Sequence, residues 1–199
     1  MPKLICLGDS ITAKEKDPNG ILKLVLRLKQ TLPDWTIINS GVPGDNSRGA
    51  LNRLKSDVLD YSPDLVTVLL GTADASDKKG IDIEEYEDNL SSIIEQITPE
   101  KTLLISSPPI NQTLLSARKK VFPNSNFVTM GKLEKYVRVA TNIACSTSCH
   151  FCDLWSLMRA DSNYSRFLKR KDGVHLNEQG YELLTQILSK KLSSIMCSQ

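Results

Sequence analysis

Five segments of the chain carry almost continuous apolar runs, with little alternation between apolar and polar positions. They cover residues 3–8, 36–41, 65–71, 102–107 and 149–154. Runs of this kind, rich in β-branched and aliphatic residues, are typical of strands whose two faces are both covered. The pattern therefore predicts a parallel sheet at the centre of the molecule.

Segments with helical periodicity lie between these runs. We predict helices over residues 17–32, 46–60, 83–97 and 131–147, and a last helix after Asn177 with Leu183, Leu184, Ile187 and Leu188 on one face. Asp17 is the expected cap of the first helix, and Pro18 is its expected first residue. Because strands and helices alternate, the sequence predicts one α/β domain over residues 1–199, a three-layer α/β/α sandwich with right-handed crossovers.

Charge excludes two classes of partner. Lys and Arg total 25 and Asp and Glu total 23, for a formal net charge of +2. This balance gives no strong field that would attract nucleic acid or anionic lipid, so we expect neither as a partner. We expect the short basic run over residues 168–172 to be a solvated face.

The sequence shows neither a candidate membrane span nor the layout of a signal peptide. No apolar stretch reaches the ~18 residues that a bilayer requires. The first residues, "MPKLICLG", lead directly into a strand, without the charged and then apolar order of a signal peptide. We therefore expect a cytoplasmic protein. The five cysteines are an odd number, which argues against a disulfide framework.

Three of these cysteines lie close together with a histidine. Cys145, Cys149, His150 and Cys152 are all potential zinc ligands at short spacing. A second group of ligands at a distance is missing, and free cysteines behave as small buried hydrophobes. We predict that this group packs in the core and holds no metal.

Residues that can carry chemistry follow the first strand. Gly8, Asp9 and Ser10 come directly after it, and in parallel α/β folds ligands bind at the carboxyl ends of the strands. A serine on such a turn presents its hydroxyl at the sheet edge, where N–H groups of the next helix face a developing negative charge. The same residue types are common in any turn, so the tripeptide alone does not identify a nucleophile.

A serine nucleophile needs a base, and the chain has two histidines. A strand of about six residues is ~20 Å long, so His150, at the amino end of its strand, is expected at the pole opposite Ser10. His175 follows the last strand and precedes a helix that Asn177 is expected to cap. Asp172 can fold back to accept the Nδ1 proton of His175, which leaves Nε2 free for Ser10.

These segments resemble the sequence blocks of the GDSL/SGNH family of esterases and lipases. Gly8-Asp9-Ser10 resembles the first block, "NSGVPGDNS" (39–47) resembles the second and "DGVHLN" (172–177) resembles the fifth. The resemblance spans nearly the whole chain. It implies the SGNH hydrolase fold, with a five-stranded, flavodoxin-like parallel sheet.

The resemblance also implies roles for individual residues. Ser10 is the implied nucleophile, His175 the base and Asp172 the acid that orients it. The N–H groups of Ser10 and Gly44 are the implied donors of the oxyanion hole, and Asp9 supports the nucleophile turn.

The third block departs from the family at one residue. The family has Gly-x-Asn-Asp, and its asparagine donates a side-chain N–H to the oxyanion. Here Gly71, Thr72 and Asp74 match, and Ala73 stands in place of the asparagine. Two interpretations stay open: Ala73 is an engineered replacement that slows the enzyme, or it is natural and a nearby donor such as Asn46 compensates.

The function that the resemblance implies is a serine esterase or acylhydrolase for small soluble carboxylic esters, slowed by the missing donor. Its mechanism needs no cofactor and no metal. The irregular segment 107–126 exceeds the usual loop length, so we expect either a partly helical insertion or a loop that lines the site and sets substrate preference. The acyl length, the alcohol part and the oligomeric state stay undetermined.

Two alternatives come from other functional classes. A flavodoxin-like binding module would hold a phosphate in the loop after the first strand, but "GDSITAKEKD" carries three acidic residues there. A pseudoenzyme of the same fold would bind esters or glycans without cleaving them. Covalent labelling by a fluorophosphonate separates an enzyme from such a binder.

Overall fold

Five parallel strands form the centre of the molecule in a computed structural model that describes residues 1–78 and 80–197. They are β1 (Lys3–Gly8), β2 (Thr36–Gly41), β3 (Leu65–Leu69), β4 (Thr102–Ile105) and β5 (His150–Cys152), in the order β2-β1-β3-β4-β5. Gly8 at the end of β1 pairs with Gly41 and Leu69, and Leu69 pairs with Ile105. Ile105 in turn pairs with Cys152 at the end of β5, so the carboxyl ends of all five strands are level.

Helices cover both faces of this sheet. They are α1 (Leu24–Thr31), α2 (Ser47–Asn52), α3 (Leu54–Asp57), α4 (Ile83–Ile97), α5 (Gln112–Val121), α6 (Met130–Thr147), α7 (Leu154–Arg159) and α8 (Glu178–Cys197), with short 3₁₀ turns at Leu59–Tyr61, Pro99–Lys101 and Tyr164–Phe167. Leu4 and Cys6 of β1 pack in the core that contains α1 and α8, whereas Ile5 and Leu7 pack in the core that contains α4 and α6. This alternation confirms the predicted three-layer α/β/α sandwich.

The first helix begins later than predicted. Its first residue is Leu24 and its cap position is Lys23, so the prediction that Asp17 caps it was wrong. Asp17 instead closes a turn, because its Oδ1 accepts the N–H groups of Asn19 at 2.8 Å and Ile21 at 2.9 Å. Gly20, with φ of +82°, supplies the left-handed residue that this turn needs.

The helix predicted over 46–60 is divided into α2, α3 and a 3₁₀ turn. The division falls at Arg53, whose guanidinium donates to the carbonyl oxygens of Ser40 at 2.9 Å and Gly8 at 3.3 Å. The continuous helix was therefore a wrong prediction. Residues 131–147 are helical as predicted, within α6.

The last helix agrees with the sequence. Asn177 Oδ1 accepts the N–H of Gly180 at 3.0 Å, and α8 begins at the next residue. Leu184 and Leu188 are fully buried, while Leu183 and Ile187 pack against the same core from partly buried positions. The capping residue and the apolar face are both confirmed.

The cysteine group does not pack together. Cys149 belongs to one core and Cys152 to the other, because successive residues of a strand point to opposite faces. Cys145 is exposed, so the prediction that it packs in the core was wrong. Among residues 1–78 and 80–197, no group of three or more His, Cys, Asp or Glu side chains is arranged to hold a metal ion. Within the same residues, no helix has the length and apolar character to cross a bilayer.

Candidate active site

The predicted nucleophile and base meet at the carboxyl edge of the sheet. Ser10 lies just beyond the end of β1, and its Oγ is 2.9 Å from Nε2 of His175. His175 lies two residues after Gly173, in the turn that precedes α8. This distance lies within the range for a hydroxyl that passes its proton to an imidazole.

Asp172 orients His175 through its ring and its backbone. Oδ2 of Asp172 lies 3.1 Å from Nδ1 of the ring, while Oδ1 accepts the N–H groups of Val174 and His175, both at 2.9 Å. Burial raises the pKa of Asp172, but the hydrogen bonds from His175 and Val174 outweigh burial and hold that pKa below its usual value. The carboxylate therefore stays charged beside the ring.

The turn between these two residues depends on a glycine. Gly173 has φ of +70°, in the region that favours glycine. Its carbonyl accepts the N–H of Asn111 at 2.7 Å, which ties the turn to the start of α5. The turn that brings the Asp172 carboxylate against the His175 ring therefore has a fixed backbone conformation.

A buried carboxyl lies under the nucleophile turn. Asp9 is only 2% exposed, and its Oδ1 accepts the N–H of Ile11 at 2.8 Å. Burial raises the pKa of Asp9 to about 6. The hydrogen bond from Ile11 opposes this rise, and the nearby Asp74 carboxylate adds to it. Asp9 thus shapes the turn that presents Ser10.

Sequence analysis missed a buried lysine on the opposite side of this turn. Nζ of Lys23 donates to the carbonyl oxygen of Ser10 at 2.6 Å and to that of Ala13, and the residue is 7% exposed. Burial lowers its pKa to about 8. The available signal was a lysine inside the apolar run "ILKLVL", where a charged side chain needs partners.

The second loop of the site brings Gly44 towards Ser10. Gly44 has φ of +74°, and the neighbouring Asp45 accepts from Arg53 Nε at 2.8 Å. Since Arg53 also binds the Gly8 carbonyl, one side chain ties this loop to the end of β1. Ser10 and Gly44 line the same cavity, of about 500 Å³.

Ala73 lines that cavity too. Its loop is fixed by Asp74, which is fully buried and whose Oδ1 accepts the N–H of Ser47 at 2.7 Å. The Ala73 carbonyl accepts both the N–H and the hydroxyl of Ser76. Alanine has no side-chain donor, so Ala73 offers none to an oxyanion at this wall.

Asn46 is engaged elsewhere. Its Oδ1 accepts the N–H of Gly49 at 3.1 Å, which makes it the N-cap of α2. The residues that line the 500 Å³ cavity in the described parts of the chain do not include it. The cap uses only the side-chain oxygen, so the possibility that Asn46 compensates through its side-chain N–H groups stays a prediction.

The remaining wall of the cavity comes mainly from the long segment between β4 and α6. Residues 107–126 contain α5 and contribute Leu115, Arg118, Ser125 and Asn126 to the lining. Phe127, Val128 and Val174 complete an apolar surface. The segment is thus partly helical and also lines the cavity, and its expected effect on substrate preference stays a prediction.

The second histidine is not at the pole where the sequence placed it. His150 is the first residue of β5 and pairs in register with Leu103, the second residue of β4. Leu103 pairs with Thr67, which pairs with Cys6, so His150 is level with the carboxyl half of β1. The predicted position at the pole opposite Ser10 was therefore wrong, because β5 is only three residues long. Three strand spacings of ~4.8 Å separate β5 from β1, so His150 is still remote from the Ser10 hydroxyl.

Comparison with known proteins gives a consistent result. The model of the GDSL-like lipase/acylhydrolase family matches residues 6–183. The human isoamyl acetate-hydrolyzing esterase 1 homolog is 28% identical over 214 residues, which cover 98% of this chain and 84% of that protein. The crystal structure of the lipase/acylhydrolase from Enterococcus faecalis has a TM-score of 0.85 and 28% identity, covering 98% of this chain and 96% of that one. An acetyl xylan esterase structure, at 22% identity and a TM-score of 0.75 over 95% of this chain and 98% of that one, shares the fold.

Proposed function

Because this chain belongs to the GDSL-like lipase/acylhydrolase family, and is a carboxylic ester hydrolase as its relatives are, we propose that Ser10, His175 and Asp172 form its catalytic triad. The observation that carries the proposal is the continuous chain of contacts, 2.9 Å from Ser10 Oγ to His175 Nε2 and 3.1 Å from Nδ1 to Asp172. The three groups have the roles that covalent ester hydrolysis needs.

Each step of the reaction follows from these contacts. His175 Nε2 takes the proton of Ser10 as Oγ attacks the ester carbonyl, and Asp172 stabilises the imidazolium that forms. The tetrahedral intermediate collapses when His175 gives the proton to the leaving alcohol. Water then attacks the acyl-enzyme with the same base, which releases the acid and restores Ser10.

The oxyanion hole of the proposed enzyme is incomplete. The backbone N–H groups of Ser10 and Gly44 are its proposed donors, and both residues line the cavity with Ala73. Loss of one oxyanion donor costs about 10²–10³ in kcat. We therefore expect a slow hydrolase whose covalent machinery is intact.

The proposed substrates are small esters with short acyl groups. The cavity beside Ser10 measures about 500 Å³, and apolar side chains from Leu115, Phe127, Val128 and Val174 form part of its lining. The similarity to isoamyl acetate-hydrolyzing esterase 1 homolog over 98% of the chain supports the same size of acyl group. Activity on nitrophenyl esters from two to twelve carbons tests this, and a maximum at long chains would contradict it.

Covalent labelling tests whether the chain is an enzyme or a non-catalytic binder. A fluorophosphonate should modify Ser10, detected as a mass increase on the peptide that contains it, and Ser10→Ala should abolish the label. A folded wild-type protein that stays unlabelled would support the pseudoenzyme that binds esters or glycans without turnover.

A further inference from the structure

A second cavity, of about 650 Å³, opens on the other side of the nucleophile. Of the residues that the structure describes, it shares only Ser10, Pro43, Asp172 and His175 with the first cavity. The Ser10 hydroxyl and the imidazole therefore stand where the two cavities meet. An ester bound at Ser10 can place one part of the molecule in each of them.

The second cavity has a basic lining. Six basic side chains contribute to it, those of Lys14, Lys16, Lys23, Lys169, Arg170 and Lys171. Three of them, Lys169, Arg170 and Lys171, belong to the run 168–172, which therefore faces a cavity beside the nucleophile as well as solvent. The formal net charge of the whole chain is only +2, so it gives no indication of this local excess of positive charge.

The two acidic residues of this lining are already engaged. Oδ2 of Asp17 lies 2.6 Å from Nζ of Lys169, and its Oδ1 closes the turn at Asn19 and Ile21. Asp172 is bound to His175. The carboxylates therefore offset only part of the positive charge.

The basic groups are close enough to affect one another. After burial, the positive charge of Lys169 is the largest cause of the lowered pKa of Lys23, and Lys14 acts in the same direction. Lys14 itself has φ of +65°, an uncommon conformation for a residue other than glycine and one that is found at ligand sites. A cavity with several uncompensated cations attracts an anion.

We propose, on the basis of the triad proposed above, that this basic cavity binds a negatively charged group, a phosphate or a carboxylate, on the alcohol part of the ester. The first cavity contains the oxyanion wall with Gly44 and Ala73 and the apolar side chains that suit an acyl group. The alcohol part then extends into the basic cavity, past the imidazole that protonates its oxygen. The alcohol leaves with its anionic group still attached.

Matched substrates test the proposal. The acetate ester of glycerol 3-phosphate should be hydrolysed with a kcat/KM at least about 10-fold above that of glycerol monoacetate at low ionic strength. The preference should shrink as salt is added, because salt screens exposed charges. Equal rates for the two esters would overturn the proposal, while measurable turnover of glycerol monoacetate would leave the esterase function standing.

A further pair of substrates tests which part of the ester carries the charge. The 4-nitrophenyl hemiester of succinate has its anion on the acid part, and 4-nitrophenyl butyrate is its neutral counterpart. We expect no preference for the hemiester. A preference for the hemiester without one for the glycerol phosphate ester would overturn the assignment of the basic cavity to the alcohol.

Substitutions connect the preference to the cavity. The triple variant Lys14→Gln, Lys16→Gln and Arg170→Gln should reduce the ratio of kcat/KM for the anionic ester to that for the neutral one by about 10-fold, mainly through KM. Lys23 and Lys169 are left in place because they hold Ser10 and Asp17. The matched control is the triple variant Lys55→Gln, Lys135→Gln and Lys190→Gln, which replaces three exposed lysines outside both linings. It should keep the wild-type ratio of kcat/KM values.

A binding measurement separates this proposal from the esterase function. Calorimetry with Ser10→Ala protein should detect glycerol 3-phosphate but not glycerol, and the triple variant should bind the phosphate at least about 10-fold more weakly. This readout needs no turnover. Binding without turnover of any ester by the wild type would support the basic cavity and contradict the hydrolase, and absent binding would overturn the cavity's role.

Discussion

The two sides of the candidate active site differ in how many of the expected polar groups they contain. On one side Ser10, His175 and Asp172 are joined by contacts of 2.9 Å and 3.1 Å. On the other side Gly44 and Ala73 face the same cavity, but Ala73 has no side-chain donor. We propose that the first side activates the nucleophile, and that the second side adds the N–H of Gly44 to that of Ser10 as oxyanion donors.

The loops on both sides are nevertheless held in the same way, by a buried aspartate that accepts a backbone N–H. Asp9 accepts an N–H from Ile11 under the nucleophile turn, and Asp74 accepts an N–H from Ser47 beside Ala73. Both carboxyls are buried, and burial raises the pKa of each. The loop that carries Ala73 is thus anchored although Ala73 has no side-chain donor, so we expect that one substitution can supply a donor there without disturbing the loop.

The largest expected effect comes from removal of the proposed nucleophile. Ser10→Ala should reduce ester hydrolysis by at least about 10⁴-fold, because the remaining residues lack a nucleophile. The fold should persist, since Ser10 lies partly exposed beyond the end of β1. Steady-state kinetics with a thermal unfolding control measures both, and retained turnover would remove Ser10 from the mechanism.

The base should matter nearly as much as the nucleophile. His175→Ala is expected to lower kcat by about 10⁴-fold, because nucleophile and base act as one unit. His150→Ala is the matched control, since His150 lies at the amino end of β5, and it should leave kcat unchanged. A large loss from the control instead would contradict the assignment of the base.

Much of this site could be predicted from the order of residues along the chain. Turn residues after apolar runs placed Ser10 and His175 at one pole, because carboxyl ends of parallel strands share an edge. What escaped prediction depends on long-range contacts. Lys23 was included in a helix, since local periodicity cannot show that its ammonium meets the Ser10 carbonyl. The predicted helix over 46–60 is divided at Arg53, whose guanidinium binds the carbonyl of Gly8, 45 residues away.

The same limit applies to charge. The run 168–172 was expected to be solvated, and sequence spacing gives no indication that Lys14 and Lys16 lie across a cavity from it. Antiparallel bridges between Lys16 and Leu22 and between Leu168 and Leu176 shape the two segments. Only the fold brings the cations together.

A smaller effect should show in the pH dependence of stability, through the buried carboxyl under the nucleophile turn. The pKa of Asp9 is raised to about 6 in the folded protein, above the ~4 of an unfolded aspartate. The folded state therefore holds the proton over a range in which the unfolded state has lost it, so the contribution of Asp9 to wild-type stability falls as pH rises from about 4 to about 6. The expected loss is roughly 3 kcal/mol.

Asp9→Asn should lack this loss, because an amide does not ionise and its oxygen still accepts from Ile11. The difference in unfolding free energy between the variant and the wild type should thus shift by roughly 3 kcal/mol in favour of the variant between pH 4 and pH 7. Urea unfolding at several pH values measures it. A difference that does not change with pH would mean that Asp9 ionises as easily when folded as when unfolded.

The last prediction concerns a side-chain donor introduced at residue 73. Ala73→Asn should place an amide N–H about 3 Å from the developing oxyanion and raise kcat by about 10²-fold, with little change in KM, because the bond strengthens chiefly in the transition state. Asp74, held by Ser47, keeps the loop in place, so stability should change little. Asn46→Ala is the control for the competing donor: it should cost stability through the lost cap of α2 and leave kcat unchanged. A gain below about threefold in folded Ala73→Asn protein, together with a large kcat loss in Asn46→Ala, would assign the donor to Asn46 and make Ala73 a natural feature of a complete oxyanion hole.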